Sequence, residues 1–250
     1  LSSTTLFEVD GEVRPQYQAT KVVIDVLDDA AAKQKFLAGE LSSYAPTASE
    51  LPEYTLSDSL YQVDETYQMS FFMNTNPTDL KNMDINEGNT NSIVLSNENF
   101  RKAMSLAIDR AEFVTKTAGY KPAFSLLNNL YYYDVWNDPS SRYRNSEPAM
   151  QALVNLYEIE YGEGKTYATL EEAHASITGH NLTQAKELMA LAHEELVVAG
   201  DISAGANIKI KIAYAKGAIQ SDELAQVAII QKHLNAALED SGFGTIELEA

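Results

Sequence analysis

Residues 96–114 read Ser-Asn-Glu-Asn-Phe-Arg-Lys-Ala-Met-Ser-Leu-Ala-Ile-Asp-Arg-Ala-Glu-Phe-Val, the most clearly patterned segment of this 250-residue chain. Asn97 or Asn99 can cap its amino end, and Glu98 would lie at the positive end of a helix dipole. The pattern predicts a helix over 97–114 with one buried side. The apolar residues that share this side, spaced three and four apart, are Phe100, Ala103, Met104, Ala107, Ile108 and Ala111.

Upstream of this helix, residues 67–76 read Tyr-Gln-Met-Ser-Phe-Phe-Met-Asn-Thr-Asn and are followed by Pro77. Aromatic side chains favour strands and proline ends them, so this composition predicts a β-strand. Side chains alternate between the two faces of a strand. One face of the predicted strand would therefore carry Ser70, Phe72 and Asn74.

The strand, the loop after it and the helix together resemble the solute-binding proteins of oligopeptide and dipeptide ABC importers. That family shows an aromatic-x-Asn at the end of a strand, followed by Val-Arg-x-Ala-x-x-x-Ala-Ile-Asp-Arg. Phe100 stands here in place of the valine. The matching positions are Arg101, Ala103, Ala107, Ile108, Asp109 and Arg110.

The resemblance implies an α/β fold, with a periplasmic-binding-protein-like lobe in which helices flank a mixed sheet. Residues 1–66 would form the end of a first lobe, with a hairpin and a β-α-β unit. Residues 67–250 would form the second, ligand-binding lobe, with a crossing strand between lobes at 67–76. Family members are longer than this chain and begin with a signal sequence, so the chain is expected to be an internal fragment.

Local patterns in the amino-terminal part predict short elements. Asp10-Gly11 is a typical two-residue hairpin turn. Residues 21–27 are apolar enough for a strand buried on both faces, and Asp28 can cap a helix that follows. The expected order is a hairpin over 6–13, a strand at 21–27, a helix at 28–37, a strand at 40–44, and loops at 51–63 and 76–91.

The carboxy-terminal part reads as helices followed by a strand–helix–strand unit. Thr169 and Glu172 have the spacing of a capping box. Residues 208–212 alternate apolar and polar, as in a half-exposed strand. The expected order is helices at 148–161, 169–177 and from 182, a strand at 208–214, a helix from 221, and a strand at 245–249 parallel to the first.

Composition excludes several partner and site classes. The formal net charge of −18 disfavours nucleic acids and anionic membrane surfaces, because both would be repelled. The chain has no cysteine, so a disulfide, a thiolate site or a lipid-bearing cysteine within it is excluded. No apolar run approaches the roughly 18 residues of a membrane-spanning helix. The resemblance implies an extracellular location, lipid-anchored in the full-length protein or periplasmic.

Enzyme signatures are weak throughout the sequence. There is no Gly-x-Ser-x-Gly elbow, no Gly-x-Gly-x-x-Gly and no phosphate loop. Glu171 and His174 have the spacing of a bundle metal motif, but a second such motif would be needed. His193 has no second histidine at the spacing of a zinc helix. The chain is therefore predicted to be a non-enzymatic protein without a cofactor or a metal ion.

Aromatic side chains point to binding instead, because they supply large contact area with few rotatable bonds. By the resemblance, the face of Phe72 would look towards a ligand; alternatively, Phe72 lies in the core and Asn74 caps the next turn. The loop of Tyr132 and Trp136 either lines the site or folds onto its own lobe. The predicted ligand-binding residues are Ser70, Phe72, Asn74, Tyr132, Trp136, Tyr214 and Lys216.

Two further expectations concern individual residues. Tyr214 and Lys216 follow a strand at its carboxyl end, where open α/β sheets usually meet ligands. Arg101 and the pair Asp109–Arg110 match the family motif, but we interpret them as scaffold, in a salt bridge or a helix–loop clamp.

The resemblance implies the extracellular substrate-binding component of an ABC importer, a monomer that binds oligopeptides between two lobes and delivers them to a membrane permease. Relatives that bind metal complexes, haem or oligosaccharides are not distinguished by this sequence. The alternative from another class is a cell-surface interaction or adhesion domain without a small ligand. A hydrolase would need a nucleophile–base pair that the sequence does not supply.

Overall fold

The computed structural model describes residues 6–15, 19, 21–47, 49–88, 90–115, 120–125, 127–214, 219 and 221–250. The chain divides into two compact units, Leu1–Thr47 and Ala48–Ala250. The first contains β1 (Leu6–Val9), β2 (Glu12–Pro15) and α1 (Asp29–Leu37). The second contains α2 (Leu51–Tyr54), α3 (Pro77–Glu87), α4 (Glu98–Ala107), α5 (Arg110–Val114), α6 (Glu147–Leu156), α7 (Leu170–Ala175), α8 (Leu182–Val198), β3 (Ile208–Lys211), α9 (Ser221–Leu238) and β4 (Ile246–Glu249), with 3₁₀ turns at Ser92–Ser96 and Tyr143–Asn145.

The first unit confirms the hairpin and the helix but not the strands beside it. β1 and β2 pair antiparallel, with Val9 opposite Glu12. Asp10 and Gly11 both have positive φ, 54° and 78°, as the predicted turn requires. Asp28 caps α1 by accepting a hydrogen bond from the Ala31 amide at 2.8 Å.

The β-α-β unit predicted for this region is wrong. Residues 21–27 and 40–44 form no strand, and the valines and isoleucine of the first segment are 70–97% exposed. A strand is held by hydrogen bonds to a neighbour, and among the described residues of this unit only β1 and β2 pair. A high strand propensity does not by itself provide these two segments with a neighbouring strand to pair with.

The core of the second unit is built around α4. Phe100 and Ala103 are fully buried, and α4 packs against α8 and α9. The ring of Phe100 meets that of Phe243 edge to face, with centroids 5.7 Å apart. Burying a side chain of this size stabilises the fold by about 1.5–3 kcal/mol, so the contacts of α4 with α8 and α9 contribute much to the main core.

The structure divides the single helix predicted over 97–114 into two helices, α4 and α5. Asn97 caps α4 as predicted, accepting from the Phe100 amide at 2.9 Å. Ile108 and Asp109 leave helical geometry, with ψ near 111° and 102°. The Asp109 carboxylate accepts from the Ala111 amide at 2.9 Å and so starts α5. Aspartate competes for backbone amides in this way, which explains the break.

The prediction of a loop over 76–91 is wrong for most of that range, because α3 occupies Pro77–Glu87. Asn76 caps this helix, accepting from the Thr78 amide at 2.9 Å, and Pro77 is its first residue, where proline is tolerated. Gly88 ends it with a φ of 88°. Only Leu80 and Asp84 are buried on α3, so its sequence shows little apolar periodicity.

The strand–helix–strand unit at the carboxy terminus is confirmed. β3 and β4 pair parallel, with Ile208 opposite Ile246, and β3 is shorter than the predicted 208–214. The Asn235 side chain on α9 both donates to the Ile246 carbonyl and accepts from its amide, at 2.9 and 3.0 Å. This pair of bonds fixes α9 against β4.

A second apolar cluster joins α6 and α7. Its buried members are Met150, Val154, Leu170, Ala173 and Ile177. The capping box is confirmed in part: Thr169 Oγ1 accepts from the Glu172 amide at 3.3 Å, while the Glu172 carboxylate accepts from the Ala168 amide at 2.7 Å. Within the described part of the chain, no helix has both the length and the apolar content needed to cross a membrane.

Candidate ligand-binding surface

The predicted crossing strand at 67–76 is not a strand in the structure. No described residue forms a ladder with it. Phe72 is 96% exposed and so lies outside the core, and Ser70 is exposed as well. Asn74 accepts from the Asn76 amide at 3.0 Å, which is the turn-capping role weighed above as the alternative. Whether this segment separates two lobes, with the boundary at 66/67, stays a prediction.

Asp64 fastens the chain just before this segment to the aromatic loop, which is the irregular segment described at 120–125 and 127–142. Its carboxylate accepts from Asn129 Nδ2 at 2.6 Å and from Lys121 Nζ at 3.0 Å. Arg142 Nη1 lies 4.0 Å away. The bond from Asn129, and next the one from Lys121, lowers the pKa of Asp64. Asp64 therefore stays ionised and holds three separate points of the loop.

Two more contacts strengthen this junction. Asn128 Nδ2 donates to the Thr66 carbonyl at 2.7 Å. The negative charge of Glu65, followed by the interaction with Tyr120, raises the pKa of Tyr67. Tyr67 remains a neutral hydroxyl that can both donate and accept.

The aromatic loop has a short antiparallel bridge at its base, between Tyr132 and Arg142. The Tyr143 amide donates to the Tyr131 carbonyl at 2.7 Å, and these two rings meet edge to face at 6.4 Å. The Arg142 guanidinium lies 5.9 Å from the centre of the Tyr132 ring. Tyr132 is thus half-buried within its own loop, whereas Trp136 is 93% exposed.

We call the exposed rings of these two joined segments the aromatic surface. Their side chains are between 42% and 96% exposed although each is large and mainly apolar. Concentrations of exposed apolar side chains often mark binding sites. The aromatic surface consists of Tyr67, Phe71, Phe72, Tyr120, Tyr131, Tyr133, Trp136 and Tyr143.

The remaining predicted site residues are not brought to this surface by any described contact. Tyr214 is half-buried against the main core cluster. Lys216 lies outside the described residues. Met73, at the far end of the 67–76 segment, packs against the same core cluster as Tyr214. Sequence reasoning missed Asp64, because a single aspartate in a polar stretch carries no signal of distant partners.

The family-motif charges act as scaffold, as predicted. Arg101 Nη1 donates to the carbonyls of Leu95 and Ser96, both at 2.8 Å, and clamps α4 to the preceding 3₁₀ turn. Arg110 donates to the carbonyls of Ser105 and Gly179, and so clamps the loop before α8 to the end of α4. Burial lowers the pKa of Arg110.

The histidines of the described chain do not assemble a metal site. No group of three or more His, Asp or Glu side chains suited to a metal ion occurs among the described residues. Nε2 of His174 and Nε2 of His193 are buried without a hydrogen-bond partner. Burial, and next the charge of Arg144, lowers the pKa of His174, which favours a neutral ring.

The sequence also matches a family model, that of the bacterial extracellular solute-binding proteins, family 5 Middle, over residues 12–238. The match covers most of the chain. This chain belongs to the family 5 solute-binding proteins. A comparison with curated proteins found no match.

As a family 5 protein, the chain belongs to the extracellular solute-binding components of ABC transporters, a class with a binding role. The match starts in β2 and ends at the last residue of α9. It therefore includes Asp64, the aromatic surface and the Arg101 and Arg110 clamps, and it leaves β4 outside. The mixed α/β architecture agrees with a lobe of the periplasmic-binding-protein type.

Proposed function

We propose that this family 5 protein binds oligopeptides and delivers them to a membrane permease. The observation that supports a peptide is the aromatic surface, which is held in shape by Asp64 and has no described partner for Phe72 or Trp136. Rigid rings give contact area to ligand side chains at little entropic cost. The complete protein would act as a monomer, anchored by lipid to the cell surface or free in the periplasm.

The polar groups around the rings suit a peptide backbone. The Tyr67 and Tyr120 hydroxyls can each donate and accept. Ser70 and Asn74 are exposed on the same segment as Phe72. A peptide presents amides, carbonyls and side chains at short intervals, so alternating rings and hydroxyls can satisfy it. Water can bridge the contacts that do not meet directly.

Thermal unfolding of the intact protein tests this proposal. A pool of short peptides present at about 100 times Kd would stabilise the folded state by about 2.7 kcal/mol. For a chain of this size that corresponds to a rise in Tm of roughly 5–10 °C. Oligosaccharides, haem and a nickel chelate serve as the competing ligands. A shift with one of these and none with peptides would overturn the assignment, and no shift with any would favour an adhesion domain.

Truncating the most exposed rings should weaken peptide binding without loss of stability. We expect Phe72→Ala and Trp136→Ala each to reduce affinity by about tenfold, the typical effect of removing an aromatic anchor. Titration calorimetry measures the affinity. Val198→Ala, at an exposed position on the end of α8, is the control and should leave it unchanged. If both ring variants bind peptides like the wild type, the aromatic surface is not the site.

A further inference from the structure

The cationic and the acidic side chains next to the aromatic surface differ in whether they have a described partner. Both cations at its base, Lys121 and Arg142, lie against the single carboxylate of Asp64, at 3.0 and 4.0 Å. Asp64 offsets one of these two positive charges and holds both side chains at the junction.

A third cation, Arg144, is also committed elsewhere. Its guanidinium lies 5.6 Å from the centre of the Phe124 ring and close enough to His174 to lower the pKa of that imidazole. Phe124 packs against the α6–α7 cluster. Arg144 is therefore held against a side chain of that cluster.

Two carboxylates at the surface remain without a described cation. Glu65 is exposed directly between Asp64 and the Tyr67 segment. Asp134 lies between the exposed side chains of Tyr133 and Val135, and its carboxylate accepts only from the Asn137 amide group, at 2.9 and 3.3 Å. Each contributes uncompensated negative charge beside exposed rings.

We propose that the aromatic surface selects peptides that carry lysine or arginine side chains over neutral peptides, and that it rejects acidic ones. This inference rests on the proposed peptide-binding function. A cation near a Tyr or Trp ring is attracted by the face of the ring. Glu65 and Asp134 supply the full charges, and the overall net charge of −18 steers cations towards the protein.

Matched peptides separate this preference from binding itself. Three pentapeptides with identical termini would differ only at the central residue, which is Lys, Gln or Glu. We expect the Lys peptide to bind about tenfold tighter than the Gln peptide, since an exposed ion pair and a cation–π contact add to one another. The Glu peptide should bind weakest. At about 1 M NaCl, where the Debye length is ~3 Å, the difference should shrink.

A variant locates the source of the preference. Glu65→Gln should reduce the Lys-to-Gln affinity ratio about threefold, as loss of one exposed pair predicts, while the Gln peptide keeps its affinity. Glu163→Gln, at an exposed position after α6, is the matched control and should change neither. Binding of the three peptides with equal affinity would overturn the inference and leave the proposed function intact. An equal change in the Lys-to-Gln affinity ratio for Glu65→Gln and Glu163→Gln would also overturn the inference. No binding of any peptide would instead count against the proposed function.

Discussion

Asp84→Ala is expected to lower the free energy of unfolding by about 3 kcal/mol, because removal of this buried carboxylate would leave several donors without a partner. Asp84 is 8% exposed. It accepts from the Ser92 amide at 2.7 Å, from Ser92 Oγ at 2.8 Å and from the Ile93 amide at 3.2 Å. The Thr90 hydroxyl donates to it as well. One side chain on α3 thus caps the whole 3₁₀ turn that leads into α4.

The loss should extend beyond the 3₁₀ turn. The backbone carbonyl of Thr90 accepts from the Lys209 amide of β3 at 2.8 Å, and Asn91 Nδ2 donates to the Asn207 carbonyl at 2.7 Å. Loosening this turn therefore loosens its attachment to the sheet. Arg101 clamps the same turn from the other side.

Urea unfolding followed by circular dichroism measures this effect. Asn86→Ala is the control, because Asn86 is exposed on the same helix and surface changes usually stay within about 0.5 kcal/mol. A cost below about 1 kcal/mol for Asp84→Ala, as in replacement of an ordinary exposed hydrogen bond, would show that the carboxylate does not hold the turn.

Gly179→Ala is expected to cost about 3 kcal/mol, the second large effect. Gly179 has a φ of +70°, and an added Cβ would lie 2.7 Å from Arg110 Nη1 and 3.1 Å from Phe124 Cβ. The left-handed backbone contributes about 1 kcal/mol, and overpacking against a half-buried guanidinium adds roughly 1–3 kcal/mol. The clamp that Arg110 forms on the Ser105 and Gly179 carbonyls would have to shift.

Gly200→Ala is a closely matched control for this variant. Its φ is +73°, and nothing lies within 4 Å of the added Cβ. The variant Gly200→Ala carries only the cost of placing alanine in a left-handed backbone conformation. The free energy of unfolding of this variant should therefore fall by about 1 kcal/mol. Thermal or urea unfolding of both variants compares the two. Equal losses would mean that Arg110 moves aside freely and that its clamp contributes little.

Helices with a strong apolar stripe were predictable from local sequence. α4, α8 and the parallel pair β3–β4 were found in this way, and so was the Asp10-Gly11 hairpin. Each of these carries its own signal within a few residues: spacing, a cap, or a turn dipeptide. The helix α3 has a capping Asn76 and Pro77 at its first position, but it lacks the apolar stripe, because its two buried residues, Leu80 and Asp84, include a charged one.

The strand predictions that failed show where local sequence is not sufficient. Residues 21–27 and 67–76 are rich in strand-forming side chains, yet neither pairs with described residues. Strand propensity describes how well a side chain fits a pleated surface and does not specify the partner. Phe72 therefore lies on the exterior without the strand that was expected to place it there, and its contact with a ligand stays a prediction.

The local sequence was sufficient for the caps, the hairpin turn and the buried face of α4, because neighbours within one helical turn or one β-turn settle those features. It was also sufficient for the family. The junction at Asp64 depends on partners 57 and 65 residues away, and the Arg110 clamp on the Gly179 carbonyl spans 69 residues. Contacts at such separations form only when the core brings the elements together, so the folded chain alone shows which charges are paired and which remain available to a ligand.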